Sequence, residues 1–254
     1  MRNKKLLIIH GVFVAIQFIL TVLFFFVPLP GRSEVAINFT IVVLALLHAV
    51  IVSGKSPHKK VFITAMIFTV ISDVFLTVRY TRTGSSVDQI IAMFTFSCTQ
   101  ICYAVYLFLQ SQNKKLKEIS IGVRVGLIVL ILLIAILVLK QNINLLVIVT
   151  IFYFTNLVLN AVFAFIEFKK NPLFAIGLVF FIFCDILIGL GVMNKMFITI
   201  APDSFLYKIV FQFAFAWLFY SISQTLISLS ISAGLAFLRK GEKIEEKVQR
   251  VYHR

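Results

Sequence analysis

The sequence ISDVFL at Ile71–Leu76 and its counterpart FCDILI at Phe183–Ile188 each place one aspartate in an apolar run of about 20 residues. A run of that length with so few charges is typical of a membrane-spanning helix. A carboxylate inside such a span costs about 3 kcal/mol on insertion scales, so it marks a functional site or a polar partnership. Asp73 and Asp185 are therefore the first candidates for functional residues.

The composition of the whole chain agrees with a membrane protein. Of its 254 residues, 61% are hydrophobic and 13% are charged, whereas a soluble domain has roughly a quarter of its residues charged. A water-soluble core cannot absorb that much apolar surface. The sequence predicts an all-α polytopic membrane helical bundle, integral and multi-pass, lying in the cell membrane if the source is bacterial.

Eight hydrophobic stretches are long enough to cross a bilayer, and the connections between them are short. We predict a single transmembrane domain over residues 1–239 and a basic cytoplasmic tail over residues 240–254. The predicted spans are 6–27, 35–53, 61–79, 90–110, 119–139, 145–166, 173–193 and 209–232.

Most of the 24 lysines and arginines lie between the spans, on one side of the membrane. By the positive-inside rule that side is cytoplasmic and holds both termini. We expect these charges to contact anionic lipid headgroups rather than nucleic acid, because no basic patch is interleaved with exposed aromatic residues. Arg124, near the start of the fifth predicted span, is expected to snorkel to the membrane surface.

Asp73 and Asp185 occupy equivalent positions in their spans. Each lies 12 residues after the start of a predicted span that runs outward, which is about 18 Å into the membrane. Other polar residues repeat at matching positions in the two halves of the chain: His48 with Asn160, and Gln100 with Gln224. This pattern favours two parallel four-helix halves.

Several predicted spans carry a narrow polar stripe at helical spacing. Lipid does not solvate these groups, so we expect them either to line an interior cavity or to hold helices together by hydrogen bonds. The candidate cavity residues are Thr69, Thr77, Gln100, Tyr103, Tyr153, Asn156, Asn160, Gly189, Ser221, Gln224 and Ser228.

Two carboxyl groups close together in a medium of low dielectric share a proton and can supply an acid and a base together. The same pair could couple proton movement to transport. Other chemistries lack their residues: the sequence has no G-x-S-x-G motif, no P-loop and too few span histidines for a catalytic zinc site. We expect no metal and no cofactor.

Four segments resemble the YhhN-like lysoplasmalogenase family of eight-span membrane proteins: Asn171–Leu190 (NPLFAIGLVFFIFCDILIGL), Phe215–Ser230 (FAWLFYSISQTLISLS), Ile71–Leu76, and Phe94–Tyr106 (FTFSCTQICYAVY). The resemblance implies that Asp73 and Asp185 match the aspartates proposed to cleave the vinyl ether of lysoplasmalogen, giving a fatty aldehyde and a glycerophospho-head group. The chain departs from the family pattern by lacking a Lys-Pro near Val35–Asn38 and by carrying Gln100 where many members have histidine.

The leading hypothesis is a membrane lipid hydrolase that uses Asp73 and Asp185 as its acid and base, with a lysophospholipid as substrate. One alternative is a proton-coupled transporter or channel that uses the same two aspartates. The largely uninterrupted spans argue against it, because transporters are rich in broken helices. A further alternative is a catalytically inactive homologue that only binds lipid. The sequence leaves the oligomeric state open.

Overall fold

The computed structural model describes residues 2–27, 31–54, 56, 58–140, 143–196, 199–212 and 215–232. It confirms the all-α architecture and the eight membrane-spanning helices. The helices are α1 (Arg2–Phe26), α2 (Gly31–Ser53), α3 (Lys59–Thr83), α4 (Ser86–Gln110), α5 (Lys114–Leu139), α6 (Leu145–Ile166), α7 (Pro172–Met196) and α8 (Phe215–Ser232).

Several helices extend beyond the apolar stretches that predicted them. The helix α5 begins at Lys114 rather than at residue 119, because Asn113 caps its first turn by accepting a hydrogen bond from the backbone N–H of Leu116 at 3.0 Å. Asn144 caps α6 in the same way. Hydropathy reports the part of a helix that lies in lipid, whereas its ends are set by capping groups.

The eighth span was predicted over residues 209–232. In this region the structure describes α8 over Phe215–Ser232, and before it a helical turn at Phe205–Tyr207 and a π-helical segment at Lys208–Gln212. The predicted basic tail, residues 240–254, lies outside the described residues.

The helix α3 changes its geometry at the residue that the sequence singled out. It is α-helical over Lys59–Asp73, π-helical over Val74–Tyr80 and α-helical again over Thr81–Thr83. A π-helical segment widens the turn and is frequent at functional sites. Because such a segment keeps the helix continuous, hydropathy gave no sign of it.

An aromatic cluster packs α3, α4 and α7 together near one end of the bundle. The ring of Phe62 lies 5.0 Å from that of Tyr106, and Phe174 lies 5.2 Å from Tyr103 and 5.5 Å from Tyr106. All four side chains are fully buried. By contrast, most of α5 faces outward, so this helix lies at the periphery of the bundle.

A chain of hydrogen bonds joins α1, α2 and α8. His10 Nδ1 lies 2.8 Å from His48 Nε2, and His48 Nδ1 lies 2.7 Å from Ser228 Oγ. Ser228 donates to the carbonyl oxygen of Ala45 at 2.7 Å, so its oxygen accepts from His48. That bond fixes the tautomer of His48 and makes His10 the donor in the bond between the two rings.

Some polar contacts between helices, but not those of the two span aspartates, repeat between the first and second halves of the chain. His48 on α2 bonds Ser228 on α8, and Asn160 on α6 bonds Gln100 on α4. If α1–α4 are matched with α5–α8, then α2 corresponds to α6 and α8 corresponds to α4, so the two contacts occupy equivalent places. In the same way, the His10–His48 contact between α1 and α2 corresponds to a contact between α5 and α6, described below.

Candidate functional site

Each of the two span aspartates accepts a hydrogen bond from a tyrosine on another helix. Tyr220 on α8 donates to Asp73 Oδ2 at 2.5 Å, and Tyr153 on α6 donates to Asp185 Oδ2. Both tyrosine side chains are buried. A hydrogen bond to a carboxyl group in low dielectric fixes its orientation and stabilises its charged form.

The two Asp–Tyr pairs belong to one cluster. Phe96 and Phe181 lie between the tyrosines: the ring centroids are 5.5 Å apart for Tyr153 and Phe96, 6.0 Å for Phe96 and Phe181, and 5.6 Å for Phe181 and Tyr220. This row of rings connects the tyrosine bonded to Asp185 with the tyrosine bonded to Asp73. We call Asp73 and Asp185 the Asp pair.

The two members of the Asp pair differ in exposure. Asp73 is 2% exposed, whereas Asp185 is only half-buried. Gly189 lies one turn further along α7, and a Cβ atom added there would meet nothing within 4 Å. The half-buried carboxyl group of Asp185 therefore lies one helical turn from open space at Gly189.

Five polar side chains in the interior have buried atoms without a hydrogen-bond partner among the described residues. These atoms are Gln17 Oε1, Thr77 Oγ1, Gln100 Nε2, Ser223 Oγ and both polar atoms of Gln224. Gln224 lies one turn after Tyr220 on α8, and Thr77 lies one turn after Asp73 on α3. Buried polar groups are normally satisfied, so these groups have capacity for water or a ligand.

Other candidate cavity residues have protein partners and hold helices together. Thr69 on α3 donates to Thr99 Oγ1 on α4 at 3.4 Å, and Tyr103 on α4 donates to Met66 Sδ on α3 at 3.4 Å. Ser221 shares a hydrogen bond of 2.5 Å with Thr21 on α1, and Ser228 bonds α2 as described above. The two serines therefore face α1 and α2, away from the face of α8 that carries Tyr220.

Asn156 and Asn160 hold an arginine inside the bundle. Arg124 Nη1 donates to Asn156 Oδ1 at 2.8 Å, and Arg124 Nη2 donates to Asn160 Oδ1 at 2.7 Å. Arg124 is only 7% exposed, so the prediction that it snorkels to the membrane surface is wrong. The two amide oxygens on α6 offer the guanidinium bonds that lipid cannot.

A groove of about 630 Å³ lies between α1, α7 and α8, and His10, Phe18, Leu173 and Leu229 are among its lining residues. The lining includes neither member of the Asp pair. The groove is almost wholly apolar apart from His10 and Ser232, so it faces lipid rather than the cluster of aspartates and tyrosines.

Comparison with known families gives one match. The sequence pattern of the YhhN family fits residues 33–231, which is more than half of the chain. The chain belongs to the YhhN family. Searches of characterised proteins and of solved structures gave no match.

The YhhN match spans α2 to α8 and includes both aspartates, both partner tyrosines and Arg124, while α1 precedes it. Among these residues, sequence reasoning missed Tyr220 because its neighbours Ser221 and Gln224 carried the polar signal. It also misread Arg124, although the spacing of Asn156 and Asn160 on one face of α6 was a signal that a polar partner faced them.

Proposed function

We propose that this YhhN-family protein is an integral-membrane hydrolase of the lysoplasmalogenase type, which cleaves the vinyl ether of a lysophospholipid. The observation that carries the proposal is the Asp pair: two carboxyl groups from different helices, each bonded by a buried tyrosine, with the two tyrosines joined by a row of aromatic rings inside the membrane domain. Family membership supports the assignment.

Vinyl ether hydrolysis needs an acid and a base but neither a redox group nor a nucleotide. A neutral carboxyl group protonates the β-carbon of the vinyl ether, and the electrons of the double bond form the new C–H bond. The resulting oxocarbenium ion is attacked by water, whose proton passes to a carboxylate. The hemiacetal then gives its hydroxyl proton to the carboxylate as its C–O bond to glycerol breaks, and the glycerol oxygen takes up a proton from the carboxyl group, so the pair returns to its starting state. One water is consumed, and a fatty aldehyde and a glycerophospho-head group are released.

We assign the acid role to Asp185, because it is the half-buried member and lies one turn from the open space at Gly189. Asp73 is fully buried and stabilises the oxocarbenium ion by its charge. Two close carboxyl groups titrate as a unit, so one proton on the pair supplies both roles. In this proposal Tyr153 and Tyr220 are positioning residues that fix the carboxyl groups.

Aldehyde release from a defined lipid tests the proposal directly. The purified protein, in detergent or liposomes, is given lysoplasmalogen, and Asp73→Asn and Asp185→Asn are compared with wild type. We expect each substitution to lower the rate by roughly 100-fold or more, the size of a general acid–base contribution. Asp203→Asn changes an exposed loop aspartate and serves as the matched control with wild-type activity.

Two outcomes would contradict the hydrolase proposal. If wild type releases no aldehyde from lysoplasmalogen, the reaction is not the one proposed. If either member of the Asp pair can be replaced with full retention of activity, the assigned mechanism is wrong even though the reaction occurs.

A proton-coupled transporter is a second candidate, and one observation favours it. The π-helical segment Val74–Tyr80 directly follows Asp73, so α3 departs from regular geometry beside a carboxyl group, as helices of transporters do. This candidate predicts solute movement driven by a pH gradient across liposomes and no release of aldehyde. The same liposomes that test hydrolysis distinguish the two functions.

A further inference from the structure

Arg124 is a buried cation without a neutralising carboxylate. Its guanidinium lies inside the bundle at 7% exposure, and no acidic side chain among the described residues lies within salt-bridge distance of it. Its partners are Asn156, Asn160 and, at 3.4 Å, Ser120, and its guanidinium also lies 5.7 Å from the ring centroid of Phe108. All of these groups are neutral. A charge held in this way inside a membrane domain is costly.

The groups around Arg124 also have more donors than acceptors. A guanidinium has five N–H donors, and three of them are directed at the partners just named. Asn160 turns its oxygen to Arg124 and donates its Nδ2 to Gln100 Oε1 at 3.0 Å and to the Gln100 carbonyl oxygen at 2.8 Å. This leaves Gln100 Nε2 buried without an acceptor.

We therefore define the Arg124 cluster as Arg124, Asn156, Asn160 and Gln100. It carries one positive charge, and two N–H groups on Arg124 and two on Gln100 lack an acceptor in the part of the chain that the structure describes. The complement of such a cluster is an anion with several acceptor oxygens. Arginine matches the geometry of a phosphate particularly well.

The Arg124 cluster lies next to the Asp pair along α6. Asn156 is three residues after Tyr153, which bonds Asp185, and Asn160 is seven residues after it. At 1.5 Å per residue, the two asparagines lie about 4.5 Å and about 10 Å along the helix from that tyrosine. A lysophospholipid places a glycerol backbone between its phosphate and its sn-1 chain, so the two sites suit the two ends of one such molecule.

We propose that the Arg124 cluster binds the phosphodiester of the lysophospholipid substrate and so positions the vinyl ether at the Asp pair. This inference depends on the proposed function for the identity of the substrate. The anion site itself can be tested without catalysis. Arg124 is then a specificity-determining residue that distinguishes phospholipids from neutral ether lipids.

Binding is tested with two ligands that cannot be hydrolysed: a 1-alkyl lysophospholipid, and a 1-alkylglycerol that lacks the phosphate. Thermal unfolding in detergent is followed for wild type, Arg124→Gln and Arg124→Lys. We expect the lysophospholipid to stabilise wild type with an apparent affinity about tenfold or more above that for the neutral ligand, the size of one charge-assisted hydrogen bond. Arg124→Gln should lose this preference, and Arg124→Lys should keep part of it. Arg82→Gln, which removes an exposed arginine, should leave it unchanged.

Arg124 could instead serve only to attach α5 to the bundle, and Asn156→Asp separates the two roles. The new carboxylate on α6 would neutralise the positive charge of Arg124 and strengthen the contact between α5 and α6. If Arg124 forms an anion site, Asn156→Asp should fold but no longer bind the lysophospholipid more tightly than the 1-alkylglycerol. A purely structural role predicts a folded protein with an unchanged preference, and that result would overturn the inference.

Catalysis gives the second readout. With vinyl ether substrates, Arg124→Gln should raise KM for lysoplasmalogen about tenfold or more and leave kcat/KM for a 1-alkenylglycerol unchanged. An equal loss for both substrates would contradict a phosphate site. If wild type cleaves neither substrate, the proposed function fails, whereas the binding experiment still decides the anion site.

Discussion

Tyr220 on α8 donates a hydrogen bond of 2.5 Å to Asp73 on α3, joining residues 147 positions apart in the chain. Both side chains are buried inside the membrane domain. Tyr153 makes the corresponding bond to Asp185. Removal of either hydroxyl group should therefore affect chemistry more than folding.

Tyr220→Phe and Tyr153→Phe test this relationship. Loss of a hydrogen bond to a charged group costs about 1.5–3 kcal/mol, so we expect kcat for lysoplasmalogen to fall roughly 10- to 100-fold, with little change in KM. Tyr106→Phe is the control, since the Tyr106 hydroxyl lies in the aromatic cluster and accepts a hydrogen bond from Asn171 at 3.5 Å instead of bonding an aspartate. Equal losses in all three variants would show that the effect is general destabilisation.

A larger side chain at Gly189 tests whether substrate approaches Asp185 through the open space at this position. A Cβ atom added at Gly189 meets nothing within 4 Å, so a leucine side chain can occupy this space one turn from Asp185. Gly189→Leu should therefore raise KM or abolish activity, while the unfolding temperature stays near that of wild type. Gly189→Ala adds only a methyl group and should remain active. Wild-type kinetics in the leucine variant would show that substrate does not approach Asp185 from this side.

Gly177 permits the close contact between α7 and α8. A Cβ atom at this position would lie 2.8 Å from Ile227 Cγ1, 3.2 Å from the Ile227 backbone nitrogen and 3.3 Å from Leu226 Cβ. Gly177→Ala should therefore separate the helices and destabilise the protein by about 1–3 kcal/mol. Gly126→Ala on α5, where nothing lies within 4 Å, should be neutral or slightly stabilising. Thermal unfolding in detergent measures both variants, and equal stability of the two would contradict this packing.

Glu167 follows the end of α6 and makes stability depend on pH. Burial alone would raise the pKa of its carboxyl group, but hydrogen bonds from Lys170 and Ser111 and the charges of Lys170 and Lys117 lower that pKa below its ordinary value. A lowered folded-state pKa gives stability that is present above the unfolded pKa and is lost as pH falls through the folded pKa. Glu167→Gln should therefore be less stable than wild type at pH 7, by under about 1 kcal/mol, and the difference should shrink on acidification. A difference that grows on acidification would contradict this explanation.

The sequence by itself determined the architecture. Lipid cannot satisfy backbone hydrogen bonds, so each long apolar run must be a helix, and eight runs give eight spanning helices. The same reasoning indicated Asp73 and Asp185, because a carboxyl group at that depth is too costly to be incidental. These inferences need only length, hydropathy and the cost of burying charge.

Only the tertiary structure decided which polar residues meet. Tyr220 and Ser221 are neighbours in sequence, yet one bonds Asp73 and the other bonds Thr21, because successive residues point about 100° apart around a helix and its rotation is set by packing. Likewise, Arg124 points into the bundle because Asn156 and Asn160 of another helix offer their oxygens there. Hydropathy shows that a side chain needs a partner, but the partner lies on a different helix and is found only when the helices are packed.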